Sequence, residues 1–147
     1  MSGEGAYRSG GRWNSPGRYA VYASGQLTLA MLELLVHVDD AEAFRRTPHI
    51  YHLVSFDDPA LAVLEEADLP AGWDSRPESR ASQVVGDEWL DSLQSPVLAV
   101  PSVVVPPELR YEPSYMNYVI NPLHPAFPEA VEVGPVRDLV WDPRLAR

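Results

Sequence analysis

Apolar positions in this chain come in short blocks, set apart by stretches rich in glycine, proline and acid. The first block, Tyr19 to Ala23, is β-prone and predicts a buried strand. Ahead of it, residues 1–18 read as loop, because four of the first eleven residues are glycine and Asn14-Ser15-Pro16-Gly17 is a turn signal. Ser24 is placed to cap a helix from about Gln26 to Val38. Leu27, Ala30, Met31, Leu34, Leu35 and Val38 give that helix a wide apolar face. Glu33 stands at the border of the stripe, on the side shared with Leu29, Ala30, Val36 and His37, three and four residues away. A carboxylate there is costly to bury unless it is paired or used. From physics alone, a Glu33 that turns to solvent or pairs with one arginine is as good a reading as a functional one.

Farther on, His49 to Phe56 alternates as a strand. Asp57-Asp58-Pro59 predicts a short helix to about Ala67, with proline near its first turn and acids at its positive end. Leu69 to Trp73 is a loop, and residues 73–81 are polar and irregular, with Arg76 and Arg80 among them. A second short helix is predicted from about Ser82 to Leu93, with Gly86 as its weak point. The run Val97 to Pro106 is the other apolar centre. Pro101 cannot donate to a ladder, which predicts either two strands with a bulge or an edge strand. Tyr115 to Ile120 is a further strand, ended by Asn121-Pro122-Leu123-His124-Pro125, and Val131 to Trp141 supplies one or two last strands. Short strands and about three helices in an order that is not strictly alternating predict an α+β fold.

Length and composition narrow this picture. With 147 residues, 46% apolar and 22% charged, the chain is expected to form one globular domain over residues 1–147. Its 15 prolines against 9 glycines argue for many short elements and against a helical bundle. The formal net charge of −10 disfavours direct nucleic-acid binding by phosphate neutralisation and suits a basic protein partner. There is no cysteine, so disulfides, thiol catalysis and thiolate metal sites are excluded. No N-terminal basic-plus-apolar signal and no apolar run near the ~18 residues of a membrane span are visible, which makes cytoplasmic the expected location and a membrane an unexpected partner.

The chemistry-bearing residues exclude several classes. His37, His49, His52 and His124 form no helical His-x-x-x-His pair, and no acid-rich loop has calcium spacing, so no metal is expected. His49 and His52 fall on opposite faces of their strand and read as surface or core residues. Gly-x-Ser-x-Gly is absent, so neither Ser24 nor Ser102 has a serine-hydrolase context. The Gly10-Gly11 pair lacks the remaining glycines of a nucleotide-binding loop. A cation, an aromatic and one carboxylate do suit N-glycosidic chemistry on a dinucleotide. Arg12 has a fork of donors for a pyrophosphate, Tyr22 a ring to stack on a flat heterocycle, and Glu33 a charge to steady an oxocarbenium-like ribose. A leaving group that is already cationic needs no general acid, so one carboxylate suffices.

Gly10-Gly11-Arg12-Trp13-Asn14-Ser15-Pro16-Gly17, followed by Val21-Tyr22-Ala23-Ser24 and Leu29-Ala30-Met31-Leu32-Glu33-Leu34-Leu35-Val36-His37, resembles the start of the RES domain family. The resemblance continues through Trp89-Leu90, Val100-Pro101-Ser102-Val103-Val104-Val105-Pro106, Asn117 to Pro125 and Trp141-Asp142-Pro143-Arg144-Leu145, and so spans nearly the whole chain. It implies a fold like that of ADP-ribosyltransferases, with small sheets around an NAD cleft. It implies the toxin of a toxin–antitoxin system that arrests growth by degrading NAD as substrate, by hydrolysis or phosphorolysis, or that transfers ADP-ribose to a protein. The implied partner is an Xre-type helix-turn-helix antitoxin, and the family allows a homo-oligomer within the complex. By the same resemblance Arg12, Tyr22, Glu33 and Ser102 are the catalytic set, with Ser102 orienting Glu33 or the ribose. Arg12, Tyr22, Ser102 and Asn121 are the NAD-binding set, Asn121 with a role in shaping the pocket that competes with plain turn formation. Family members usually carry a longer segment with a first strand before the glycine loop. This chain is expected to lack that strand, which leaves a reading of another class, a shortened module that only occupies an antitoxin.

Overall fold

The most apolar run of the sequence forms the middle of the molecule. In a computed structural model that describes residues 1–142, 144 and 145, Val97–Pro101 is a single strand, every residue of it buried. Numbered in chain order, the elements are α1 (Glu4–Ser9), β1 (Val21–Ser24), α2 (Leu27–Leu35), α3 (Ala41–Arg46), β2 (His49–Tyr51), β3 (Val54–Phe56) and β4 (Leu61–Val63). They continue with α4 (Arg80–Ser92), β5 (Val97–Pro101), β6 (Met116–Ile120), α5 (Phe127–Ala130), β7 (Val131–Val133) and β8 (Arg137–Leu139). A four-stranded sheet has the order β1-β6-β5-β4, antiparallel except for the parallel β4–β5 pair, and two two-stranded sheets, β2-β8 and β3-β7, lie beside it. The architecture is α+β, as expected, with small sheets and short helices.

Alternation along the central strands makes two cores. Leu98, Val100 and Val119 face α4 and pack with Trp13, Trp73, Trp89 and Leu90. Val97 and Ile120 face the other way, toward Val131, Val54, Phe56 and Phe127. The β5–β6 register pairs Val97 with Ile120 and Leu98 with Val119, so each pair contributes to one core, as a period of two requires.

Several elements depart from the sequence expectations for identifiable reasons. Pro101 does not mark an edge or a bulge. It is the last residue of an interior strand, beyond Ala99 where the β4 pairing ends. Residues 58–67 are not a helix but a 3₁₀ turn at Asp58–Ala60, the strand β4 and a second 3₁₀ turn at Glu66–Asp68, because a ladder to β5 outweighs a helix too short to hold itself together. The glycine-rich start is not all loop. Gly3 and Gly10, in left-handed conformations (φ 73° and 71°), bracket α1 at its two ends. The alternating run 49–56 splits into β2 and β3, each pairing with a different C-terminal strand. α3 was not anticipated; Asp40 caps it by accepting from the amides of Glu42 and Ala43.

Helix α2 is shorter than expected and begins after Gln26 with no side-chain cap, so Ser24 is the end of β1 and not a cap. Its apolar face is not a core face either. Only Leu29 is buried, while Leu27, Leu32 and Leu34 are exposed. The helix forms a wall beside the sheet and is not sandwiched against it.

Gly86 is also not a weak point of α4. A Cβ there would meet the carbonyl oxygen of Trp13 at 1.8 Å, so the missing side chain is what lets the loop at 10–17 lie on the helix. At the C-terminal end Trp141 packs edge-on to Phe44 (5.0 Å between ring centres) and to His49 (5.6 Å); Pro143 of the Trp-Asp-Pro-Arg-Leu run lies outside the described residues. No helix among the described residues is long and apolar enough to cross a membrane.

Candidate functional site

Strand register assembles the floor of the main cavity. Asn117 of β6 lies between Ser24 of β1 on one side and Val100 of β5 on the other. The Ser24 hydroxyl donates to Asn117 Oδ1 (2.7 Å), which leaves the amide nitrogen facing away from β1, and that nitrogen donates to Glu33 Oε1 (2.5 Å). The amide orientation follows from chemistry, since only its NH2 can donate to a carboxylate. From the end of β5, Ser102 Oγ donates to the same Glu33 Oε1 (2.7 Å) and accepts from the amide of Val104 (3.2 Å). Glu33 therefore carries two donors on one oxygen, while Oε2 has no hydrogen-bond partner among the described residues. Fixing one oxygen in this way presents the other to the cavity in a set direction.

The opposite wall is the loop at 10–17, which is held by its own buried asparagine. Asn14, with no exposed surface, donates to the carbonyls of Ala6, Ser15 and Arg18 and accepts at Oδ1 from the Tyr22 hydroxyl (2.8 Å). The same hydroxyl accepts from the amide of Trp13 (3.0 Å). Tyr22 thus anchors the loop with its oxygen and lines the cavity with its ring. Burial raises its pKa well above the ordinary tyrosine value, so Tyr22 is neutral throughout the physiological range. The folded state then holds this proton more tightly than the unfolded chain does, and the stability it contributes is lost as pH rises above about 10. Tyr22→Phe, which strands an amide and an asparagine oxygen, is expected to cost about 1–3 kcal/mol at pH 7. The gap between the two proteins in urea unfolding is expected to narrow above about pH 10, since the phenylalanine variant has no such proton to lose.

Arg12 stands beside Tyr22. Its guanidinium donates through one nitrogen to the carbonyls of Trp73 (2.6 Å) and Ser75 (3.1 Å), and it makes no ion pair among the described residues. Removal from water lowers its pKa, against the raising effect of Glu78 and Glu33, and leaves it a cation that is incompletely neutralised. Arg12, Tyr22, Glu33, Arg76, Glu78 and Asn117 line one cavity of about 630 Å³, a size suited to a small-molecule ligand. It brings together a held carboxylate at the floor, an aromatic ring, and the Arg12 cation with Glu78 near it.

Of the residues singled out in the sequence, Arg12, Tyr22 and Glu33 meet at this cavity. Ser102 does not line it. At 1% exposure it lies behind Glu33, where it can orient the carboxylate but cannot touch a ligand. Asn121 is a correction: it is buried away from the cavity, donating to the carbonyl of Leu90 (3.0 Å) and accepting from the amide of Leu123 (3.0 Å). Both ends of its side chain are used to tie the turn after β6 to α4, and His124 joins the same end by bonding the carbonyl of Leu93 (2.9 Å). Asn117 and Ser24 were missed as site residues. The signal available was Asn117 itself, a lone amide inside the otherwise apolar Met116–Ile120 strand.

The family model described as RES domain matches residues 1–142. The chain is 38% identical over 152 residues to a protein of Sphingobium sp. (strain YBL2) named Prs ADP-ribosylating toxin, covering 100% of this chain and 87% of the relative. It is 34% identical over 144 residues to Toxin Res of Yersinia enterocolitica, covering 98% and 89%. Among solved structures it is similar to a chain of the M. tuberculosis MbcT–MbcA toxin–antitoxin complex, with a TM-score of 0.70 at 24% identity, covering 95% of this chain and 76% of that one. That likeness concerns the fold.

Proposed function

Because the chain belongs to the RES domain family, we propose that it is the toxin of a toxin–antitoxin pair and that it consumes NAD as substrate, breaking the bond between nicotinamide and ribose. The observation that carries this reading is the Glu33 carboxylate, held on one oxygen by Ser102 and Asn117 and facing a cavity walled by Arg12 and Tyr22. As the glycosidic bond lengthens, positive charge moves from the nicotinamide ring to the ribose. A carboxylate oxygen fixed beside the sugar stabilises that charge more in the transition state than in the ground state, which is what accelerates a reaction. Nicotinamide leaves as a neutral molecule and takes no proton, so the neutral Tyr22 serves by its ring and its anchoring of the loop. Arg12 offers free guanidinium donors to phosphate oxygens. The ribose carbon, having lost its bond to nicotinamide, then bonds to a phosphate oxygen or to water, and water gives up a proton to solvent.

The test is direct: incubate the protein with NAD, with and without phosphate or pyrophosphate, and quantify nicotinamide. Release at a rate that tracks enzyme concentration is expected, and the dependence on phosphate separates hydrolysis from phosphorolysis. No release under any of these conditions would overturn the reading. Ser102→Ala and Asn117→Ala each remove one donor from Glu33 and are expected to lower kcat about ten- to a hundredfold, the value of a hydrogen bond to a charged group. For Ser102→Ala KM is expected to move far less, because Ser102 lies behind Glu33 and does not line the cavity; a rise in KM with kcat unchanged would show that it shapes binding instead.

A second reading, transfer of ADP-ribose to a cellular protein, draws on the name of the Sphingobium relative. Both readings share the same first bond cleavage and differ in the acceptor. With labelled NAD and a cell extract, label on a protein marks transfer, and label in free ADP-ribose or its 1″-phosphate marks degradation. The partner in either case is an antitoxin, for which we favour the Xre-type helix-turn-helix class; a formal charge of −10 suits a basic DNA-binding protein. Growth arrest of cells expressing the chain without that partner, in the cytoplasm, is the physiological expectation.

A further inference from the structure

The NAD reading leaves Arg76, a cation of the cavity lining, without a role. Arg76 projects from the segment between Trp73 and α4, and its guanidinium donates to the carbonyl of Val103 (3.0 Å), next to Ser102. Arg76 and Val103 both line the cavity. Just before Arg76 in the chain, the carbonyls of Trp73 and Ser75 receive the guanidinium of Arg12. Two arginines thus converge on one short segment, both line the same cavity, and neither makes an ion pair with a carboxylate among the described residues. In a chain with 21 acidic against 11 basic residues, two clustered cations held only by neutral carbonyls are out of place as surface decoration. Burial first, and the Arg76 charge after it, make the Arg12 cation less favourable, an effect that a bound anion would reverse.

We propose that Arg76 is a second phosphate-binding cation, and that Arg12 and Arg76 together grip a diphosphate bridge, so that the site selects dinucleotides over mononucleosides. The inference rests on the NAD reading for its substrate and on the arginine pair for its chemistry. The ligand's charge pattern fits the wall. Two phosphate charges face two guanidiniums, and the nicotinamide ring, cationic before cleavage, lies toward the Glu33 floor. Guanidinium donors now on carbonyl oxygens move to phosphate oxygens, which accept stronger, charge-assisted bonds. Glu78 sits on the same wall as the opposing charge. It penalises anions, and a ligand with a single phosphate is left with the smaller net attraction.

Two measurements test this. In the first, Arg76→Gln and wild type are compared on NAD and on nicotinamide riboside, which carries no phosphate. The ratio of kcat/KM for NAD to that for the riboside is expected to fall about tenfold in the variant, mainly through KM for NAD. An unchanged ratio, whether from no loss on either substrate or from equal loss on both, overturns the proposal while leaving NAD cleavage by the wild type intact. In the second, inorganic pyrophosphate is titrated calorimetrically into wild type, Arg76→Gln and Arg76→Lys. Binding about tenfold weaker in the glutamine variant, and partly recovered by lysine, is expected. Pyrophosphate affinity equal in wild type and Arg76→Gln overturns the proposal even if the protein never cleaves NAD, so the two ideas fail separately.

Discussion

Glu33→Gln is expected to lower nicotinamide release by roughly a hundred- to a thousandfold, the usual cost of removing one preorganised electrostatic partner of a transition state. Glutamine is the informative replacement because its Oε1 still accepts from Ser102 and Asn117. The side chain stays in place, the hydrogen bonds stay made, and only the charge goes. KM for NAD is expected to change little, since the lost interaction matters when ribose becomes cationic and not before. Thermal unfolding run beside the assay checks that the fold is intact. A variant that keeps its rate within a few-fold of wild type would remove Glu33 from the chemistry and with it the reading of the cavity.

Gly86→Ala is expected to destabilise the protein by about 3 kcal/mol or more, read as a lower urea midpoint at an unchanged slope. The sign is what makes the experiment decisive. Helix propensity alone favours alanine over glycine inside α4 by about 1 kcal/mol. Packing opposes it, because the new Cβ would lie 1.8 Å from the Trp13 carbonyl oxygen and 2.6 Å from its carbon, atoms of backbone that cannot rotate aside. Relief requires the loop at 10–17 to lift from α4. That breaks contacts holding it there: Gln83 to the Gly11 carbonyl (3.0 Å), the Ser15 amide to Asp87 (2.8 Å) and Arg18 to Asp87 and Asp91. Arg12 and Tyr22 ride on this loop or anchor it, so activity is expected to fall with stability. A stabilised variant would mean that the loop is not seated on the helix.

What the sequence made legible follows the range of the forces involved. The runs that became β1, β5 and β6 are rich in β-branched and aromatic residues, and their type was plain from composition. So were α4 and the helix carrying Glu33. Where the sequence misled, a distant partner had overruled a local preference. Asp57-Asp58-Pro59 is a good helix opening, yet the residues after it pair with β5. Gly86 looks like a flaw in α4 until the Trp13 backbone is laid against it. Leu34 looks like core on a helical wheel, and lies exposed because α2 walls a cavity. The site divides the same way. Arg12, Tyr22 and Glu33 lie close together in the chain and line one cavity in the fold. Ser102 was found, but its place behind Glu33 was visible only in the fold. Asn117 was missed because one amide in a strand carries no pattern, and Asn121 was overrated because a residue in a distinctive turn can serve the turn alone.

The two bonds that hold Glu33 join it to residues 69 and 84 positions later in the chain. During synthesis, α2 leaves the ribosome before β5 and β6 have been made, and its nine residues are too few to hold a helix firmly on their own. Helices form in well under a microsecond to about a microsecond, whereas long-range strand pairing is slower and must wait for the chain itself. The floor of the cavity closes only when β6 takes its place between β1 and β5. A polypeptide interrupted before Asn117 would carry Arg12, Tyr22 and Glu33 in full and still have no assembled site.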